Sequence, residues 1–236
     1  MTKPDLGIRF PDTLAGFYQR HQGETCLVIC NGPSLNELPM GLLEQYPSIG
    51  CNTICEWYAF EPWYYVAVDD RVRREYGDLV LERFAEIPKF IPTPNLDKWQ
   101  GAMFYRWFHR PGPLWPYDKR AIWPAEIMSK PGITWACVPH VMMQLAFFMG
   151  FTTILIVGMD HSDDYSMPAW GRDDGMLPRK NPSRLWALWE AGHNQLYEGF
   201  MAHGVEMINI TPGTQERSLP KDDWRKWYAP TTEAAC

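Results

Sequence analysis

Two runs of strand length contain almost nothing but apolar and β-branched residues: Thr25-Cys26-Leu27-Val28-Ile29-Cys30 and Thr152-Thr153-Ile154-Leu155-Ile156-Val157. A strand with one face in water alternates apolar and polar side chains, and these do not. Continuous runs of this kind belong to strands buried on both faces, as in a parallel sheet covered by helices. Each run stops abruptly at turn-forming polar residues, Asn31-Gly32-Pro33-Ser34 in the first case and Gly158-Met159-Asp160-His161-Ser162 in the second.

Shorter runs repeat the pattern. Ser48-Ile49-Gly50-Cys51 ends at Asn52, Trp63-Tyr64-Tyr65-Val66-Ala67-Val68 ends at Asp69-Asp70, and residues 205–210 end at Asn209-Ile210-Thr211. Residues 87–91 form a weaker fourth strand. Between them, helical periodicity runs through Leu35, Leu38 and Leu42-Leu43 behind a Ser34 cap, from Val138 to Met149, and from about Ser183 to His203 with Gly204 as the C-cap. Strands alternating with helices predict an α/β, Rossmann-like fold, a mostly parallel open sheet with helices on both faces. The domain spans residues 25–214. A leader helix occupies residues 1–24, an irregular Pro-, Gly- and Trp-rich insertion about 92–132, a polar stretch 163–182, and an exposed tail 215–236.

Composition narrows the function classes. The chain has 236 residues, 46% hydrophobic and 21% charged, with net charge −6 and no basic block. There is no strong nucleic-acid signal, because duplex binding needs a concentrated basic face. No stretch approaches the ~20 apolar residues of a transmembrane segment, and the first residues lack a signal-peptide core. Six cysteines without a disulfide framework suit a reducing, cytoplasmic setting. Cys26/Cys30 and Cys51/Cys55 form two C-x3-C pairs, which read as small buried hydrophobes rather than as a zinc site. The 12 Trp serve core packing or an aromatic wall for a sugar, pterin or base.

In an open parallel sheet, ligands bind at the carboxyl ends of the strands, where the polar residues gather. Gly32 removes a side chain so that a ligand can reach the backbone, Pro33 fixes φ at a helix start, and Ser34 adds a hydroxyl beside free N–H groups, a combination suited to phosphate. Asp69, Asp70 and Asp160 are candidates to hold Mg²⁺ on a diphosphate, to bind a ribose hydroxyl or to act as a base. Equally, such a residue can cap a turn or helix. Asp160, His161 and His193 are the candidate acids and bases.

The segments Cys26 to Ser34 (CLVICNGPS), Cys51-Asn52, Tyr64 to Asp69 (YYVAVD), Gln144 to Ser162 (QLAFFMGFTTILIVGMDHS) and Asn209 to Thr214 (NITPGT) occur in this order. Together they resemble the proteins with a sialyltransferase-like, Rossmann-type domain, which include family-42 sialyltransferases, flagellin-modifying motility-associated proteins and an archaeal 6-hydroxymethylpterin diphosphokinase. The resemblance implies that Asn31 and Asn52 hold a nucleotide donor, with Gly32, Pro33, Ser34, Asp69, Gly158 and Ser162 around it. It also implies nucleotide contacts at a helix start that here reads Val138-Pro139-His140, phosphate contacts near Ser162 and Tyr165, and a catalytic histidine whose nearest counterpart is His193. The expected function is a transferase using a nucleotide-activated donor, foremost a glycosyltransferase that moves a sugar to a hydroxyl acceptor. The alternatives are a Mg²⁺-dependent pyrophosphokinase acting on a pterin-like hydroxymethyl substrate, and a non-catalytic nucleotide-binding module.

Overall fold

The structure, a computed structural model, describes residues 14–92, 102–107, 132–133, 137–162, 168–171 and 182–230. The strands are β1 (Thr25–Ile29), β2 (Ser48–Cys51), β3 (Tyr64–Val66), β4 (Lys89–Pro92), β5 (Ala102–Trp107), β6 (Gly132–Ile133), β7 (Thr153–Val157) and β8 (Glu206–Asn209). They form one eight-stranded sheet in the order β6-β5-β4-β3-β2-β1-β7-β8. Every pairing is parallel. The expected Rossmann-like α/β architecture is therefore what the chain adopts.

The unbroken apolar runs have the predicted cause. Alternate residues of β1 enter two separate cores, Cys26 and Val28 on one face and Leu27 and Ile29 on the other. Strand β7 divides likewise, with Ile154 and Ile156 facing one core and Leu155 and Val157 the other. Helix α3 (Val138–Phe148) and helix α4 (Pro182–Met201) cover the first face, contributing Val141, Met142, Leu145, Leu196 and Phe200. Helix α1 (Met40–Gln45) and helix α2 (Asp70–Arg83) cover the second through Leu42, Leu43, Val72 and Val80. Phe147 and Phe200 stack at 4.3 Å where α3 meets α4. No helix among the described residues is long and apolar enough to cross a membrane.

Several expectations need correction. The chain after Pro33 does not form one helix: a 3-10 turn (Pro33–Glu37) ends at Leu38-Pro39, and α1 starts afresh at Met40. Pro39 has no N–H to continue the first turn. Two strands, β5 and β6, lie inside the segment read as an irregular insertion, most of which falls outside the described residues. The described part of the leader, residues 14–24, is integral to the fold. Phe17 is fully buried, and the amides of Gln19, His21 and Gly23 bond the carbonyls of Phe148, Met149 and Gly150, which satisfies the end of α3. The described part of the tail, residues 215–230, packs on the domain as well. Lys221 bridges in parallel to Asn209, Glu216 and Leu219 are buried, and the Trp227 carbonyl accepts the Tyr46 hydroxyl at 2.7 Å. As expected, Gly204 closes α4 with φ +75.

Candidate functional site

Strand order reverses at β1. From β1 the chain steps to β2 and then β3 on one side, while β7 and β8 lie on the other. Diverging connections open a crevice at the carboxyl ends of the two central strands. The Asn31 and Gly158 loops therefore meet: the Cys30 amide bonds the Val157 carbonyl and the Gly32 amide bonds the Gly158 carbonyl, both at 2.9 Å. Gly158 has φ +68, and a Cβ on it would lie 2.7 Å from the Cys30 carbonyl oxygen, so only glycine fits this turn.

Asp160 does not stand free at this edge. Its Oδ2 accepts the Ser34 hydroxyl at 2.8 Å and its Oδ1 accepts the Ser34 amide at 3.2 Å. Burial raises the Asp160 pKa, and the two Ser34 bonds offset only part of that rise. At Gly32-Pro33-Ser34, where a phosphate cradle is expected, the Ser34 amide and hydroxyl are thus engaged within the chain. The protein's own carboxyl occupies the amide of Ser34, and the 3-10 turn is a single short one. Gly32 is required by the same contact: with an ordinary φ of −67, its added Cβ would lie 1.6 Å from Asp160 Oδ2. Ser34 is a buried donor to Asp160 and not a helix cap.

The expected Mg²⁺ trio also fails to assemble. Asp69 caps α2, accepting the Arg71 amide at 2.8 Å. Asp70 is the first residue of α2. Strands β2 and β1 stand between β3 and β7. At ~4.8 Å per strand that separation is about 14 Å, too far for Asp69 and Asp160 to share an ion.

The asparagines assigned to the donor do come together, on adjacent strand ends. Asn31 Nδ2 donates to Thr53 Oγ1 at 3.4 Å, and Asn31 Oδ1 faces the Cys51 thiol at 3.8 Å. Asn52 sits in the left-handed region at φ +48, and its backbone carbonyl accepts the Tyr65 hydroxyl at 2.7 Å. Its side-chain Oδ1 is buried without a hydrogen-bond partner. A buried, unsatisfied amide oxygen is costly and uncommon. The Ala169 amide closes over the Asn31 carbonyl at 3.1 Å, so part of the polar 163–182 stretch borders this corner. Tyr165 lies outside the described residues.

On the face covered by α3 and α4, a second set of polar groups gathers at the same edge. His161 follows Asp160 in the left-handed region, φ +51, and stacks on Trp186 at 4.8 Å. Its Nδ1 lies 3.6 Å from Glu190 Oε1. Burial, with the nearby His193, lowers the His161 pKa to about 4, so the imidazole is neutral at pH 7. His193 is completely buried, its ring 5.5 Å from that of His161 and 4.8 Å from that of His140. His193 Nδ1 lies 3.6 Å from Glu216 Oε1, just beyond hydrogen-bond length. Burial opposes ionisation of Glu216, yet the His193 ring and the Ser218 hydroxyl and amide hold its pKa down to about 2. Ser162, half-buried, is the next residue along from His161.

The two corners adjoin. Cys137 Sγ lies 3.9 Å from His193 Nε2, and the Cys137 thiol acts electrostatically on Cys51, whose own thiol faces Asn31. Cys137 and Glu216 were not singled out from the sequence, and His140 entered only through the Val138-Pro139-His140 helix start. The legible signal was C-x2-H at a helix start, Cys137 at the N-cap of α3 and His140 three residues on. Glu216 carried no signal, because it lies in a segment without periodicity. No protein-family model matches the chain, and no curated protein matches it.

Proposed function

We propose that the protein is a transferase that binds a nucleotide-type donor at the carboxyl edge of β1 and β2, most simply a glycosyltransferase with a nucleotide-sugar donor and a hydroxyl acceptor. The observation that carries this reading is Asn52, held in left-handed backbone with a buried Oδ1 that lacks a partner, beside Asn31 on the neighbouring strand end. Strained, under-satisfied polar residues at the carboxyl edge of a parallel sheet, one strand from its switch point, suit recognition of a ligand's hydrogen-bonding edge. The order of motifs shared with sialyltransferase-like proteins supports the same pair of residues. His161 is the candidate base for the acceptor's proton: it lies in the loop that follows the crevice strand β7, with Glu190 Oε1 3.6 Å from its Nδ1. Ser34 and Asp160 shape the floor instead of gripping phosphate. The pyrophosphokinase reading gains nothing from the carboxylates, which are spread across four strands.

A thermal-shift panel tests the proposal. CMP, UDP, GDP and ADP are each tried with and without Mg²⁺, with ATP as the kinase control. Stabilisation by one nucleoside mono- or diphosphate without Mg²⁺, lost in Asn52→Ala, is expected. Stabilisation by ATP alone, and only with Mg²⁺, overturns the sugar-donor reading in favour of the kinase. A flat response to every nucleotide overturns both.

A further inference from the structure

We infer that Cys137, His140 and His193 bind a single zinc ion. Among the described residues, these three form the one group of metal-ligating side chains whose donor atoms converge, all within 4.8 Å of one another and all buried. Tetrahedral zinc with bonds of ~2.3 Å to sulfur and ~2.0–2.1 Å to nitrogen places its ligand atoms about 3.4–3.6 Å apart. The Cys137 Sγ to His193 Nε2 separation of 3.9 Å needs a contraction of only a few tenths of an ångström. The widest pair needs about one ångström, within the reach of a side-chain rotation. One thiolate with two imidazoles is a borderline-soft donor set that suits zinc over Mg²⁺ or Ca²⁺.

The surroundings of each imidazole fit the same assignment. A metal-bound histidine holds its other ring nitrogen as N–H against a carbonyl or carboxylate, which fixes the tautomer. His140 Nε2 lies 3.2 Å from the Trp189 carbonyl oxygen, which leaves Nδ1 as its ligand atom. His193 Nδ1 points at Glu216 Oε1, 3.6 Å away, which leaves Nε2 toward the Cys137 sulfur. Glu216 is itself anchored by the amides of Ser218 and Leu219.

Charge closes the argument. On binding, the Cys137 thiol loses its proton to solvent and the thiolate sulfur forms the bond to zinc. One thiolate and the Glu216 carboxylate then balance the two positive charges within one enclosure, where an unbalanced ion would be costly. Three protein ligands leave a fourth position, the arrangement in which zinc takes a water or a substrate oxygen. Among the described residues the other cysteines offer no such set: Cys26 on β1, Cys30 just after it, and Cys51 and Cys55 are buried among apolar side chains.

The inference is independent of the nucleotide reading and is tested without it. Full-length protein, expressed with added zinc and purified without chelator or affinity tag, is assayed for metal by mass spectrometry. About one zinc per chain is expected, removed by a strong chelator and restored by zinc chloride. Cobalt(II) added to the stripped protein should give a tetrahedral ligand-field spectrum with a thiolate-to-metal charge-transfer band. Cys137→Ser, nearly isosteric and so the safer variant for folding, should lose that band. His193→Gln should lose stoichiometric zinc, and Glu216→Gln should keep it with about 10–100-fold weaker affinity. Wild-type protein without stoichiometric zinc or cobalt binding overturns the inference, as does equal binding by a folded Cys137→Ser, His140→Gln double variant. A Cys137 thiol that reacts rapidly with iodoacetamide in protein lacking zinc affinity overturns it in favour of a nucleophile activated by His193.

Discussion

Asp160 reaches across the switch point to Ser34, its two carboxyl oxygens accepting the Ser34 hydroxyl at 2.8 Å and the Ser34 amide at 3.2 Å. This clamp joins the loops after β1 and β7 and explains Gly32. Space there is taken by the chain's own carboxyl and not held open for a ligand.

Gly32→Ala should therefore act on stability before it acts on binding. Its Cβ would meet Asp160 Oδ2 at 1.6 Å and the Gly158 carbonyl oxygen at 2.6 Å. Overpacking of this kind costs about 1–3 kcal/mol. Combining Gly32→Ala with Asp160→Ala should cost less than the sum of the two single changes, since the second removes the worst clash. Urea unfolding of the four proteins measures this. Strict additivity would show that the two residues do not touch.

Asp160→Ala should cost about 1–3 kcal/mol, because it leaves the buried amide and hydroxyl of Ser34 without their acceptor. Asp160→Asn should cost less. Its oxygen still accepts one bond, and it removes a carboxyl whose ionisation burial opposes. A raised carboxyl pKa means the folded state holds the proton more tightly than the unfolded chain. The wild type should thus gain, relative to Asp160→Asn, as pH falls from above toward the carboxylate range. Thermal melts of both proteins at pH 7 and pH 5 provide the comparison.

Fold legibility followed the strength of local pattern. The runs at β1 and β7 announced a doubly covered parallel sheet because every residue in them beyond the leading threonines is buried. Helix α2 was not foreseen, although Asp69 was recognised as a possible cap. Its sequence, Asp70–Arg83, is dominated by charged residues, so its apolar stripe through Val72, Val80 and the following Phe84 is sparse. Strands β5 and β6 lie beyond the weak β4 at the far end of the sheet and were hidden among prolines and aromatics. At the site, loop chemistry located the strand ends that carry Asn31 and Asn52. It could not foresee that Asp160 would fill the Ser34 position, because residues 126 apart in sequence meet there. Nor could it join Cys137 and His140 to His193, 56 residues after the cysteine. His21, with its Nε2 2.6 Å from the Tyr64 hydroxyl, likewise joins a segment read as a leader to the central sheet.

Chelator-treated protein should lose stability as pH falls from 6.5 toward 4. Burial depresses the pKa values of His161, to about 4, and of His140 and His21. Between the unfolded value of 6.5 and these lower folded values, the unfolded chain binds protons that the folded protein refuses, so acid favours unfolding. Below that range Glu216 adds a further loss between pH 4.5 and about 2. Urea midpoints across this range are the measurement. His161→Gln should flatten the upper part of the curve, and an unchanged curve would remove His161 from the buried neutral set.

The central claim is that Asn31 and Asn52 hold a nucleotide-type donor at the carboxyl edge of β1 and β2. Isothermal titration of the stabilising nucleotide into wild type, Asn31→Ala and Asn52→Ala, with circular dichroism confirming that each is folded, tests it most directly. The account predicts one site per chain in the wild type. Each substitution should weaken binding by about 1–3 kcal/mol, a factor of roughly 5–150, as lost buried hydrogen bonds require. Folded Asn31→Ala and Asn52→Ala proteins that bind as tightly as the parent would contradict it and place the donor site elsewhere.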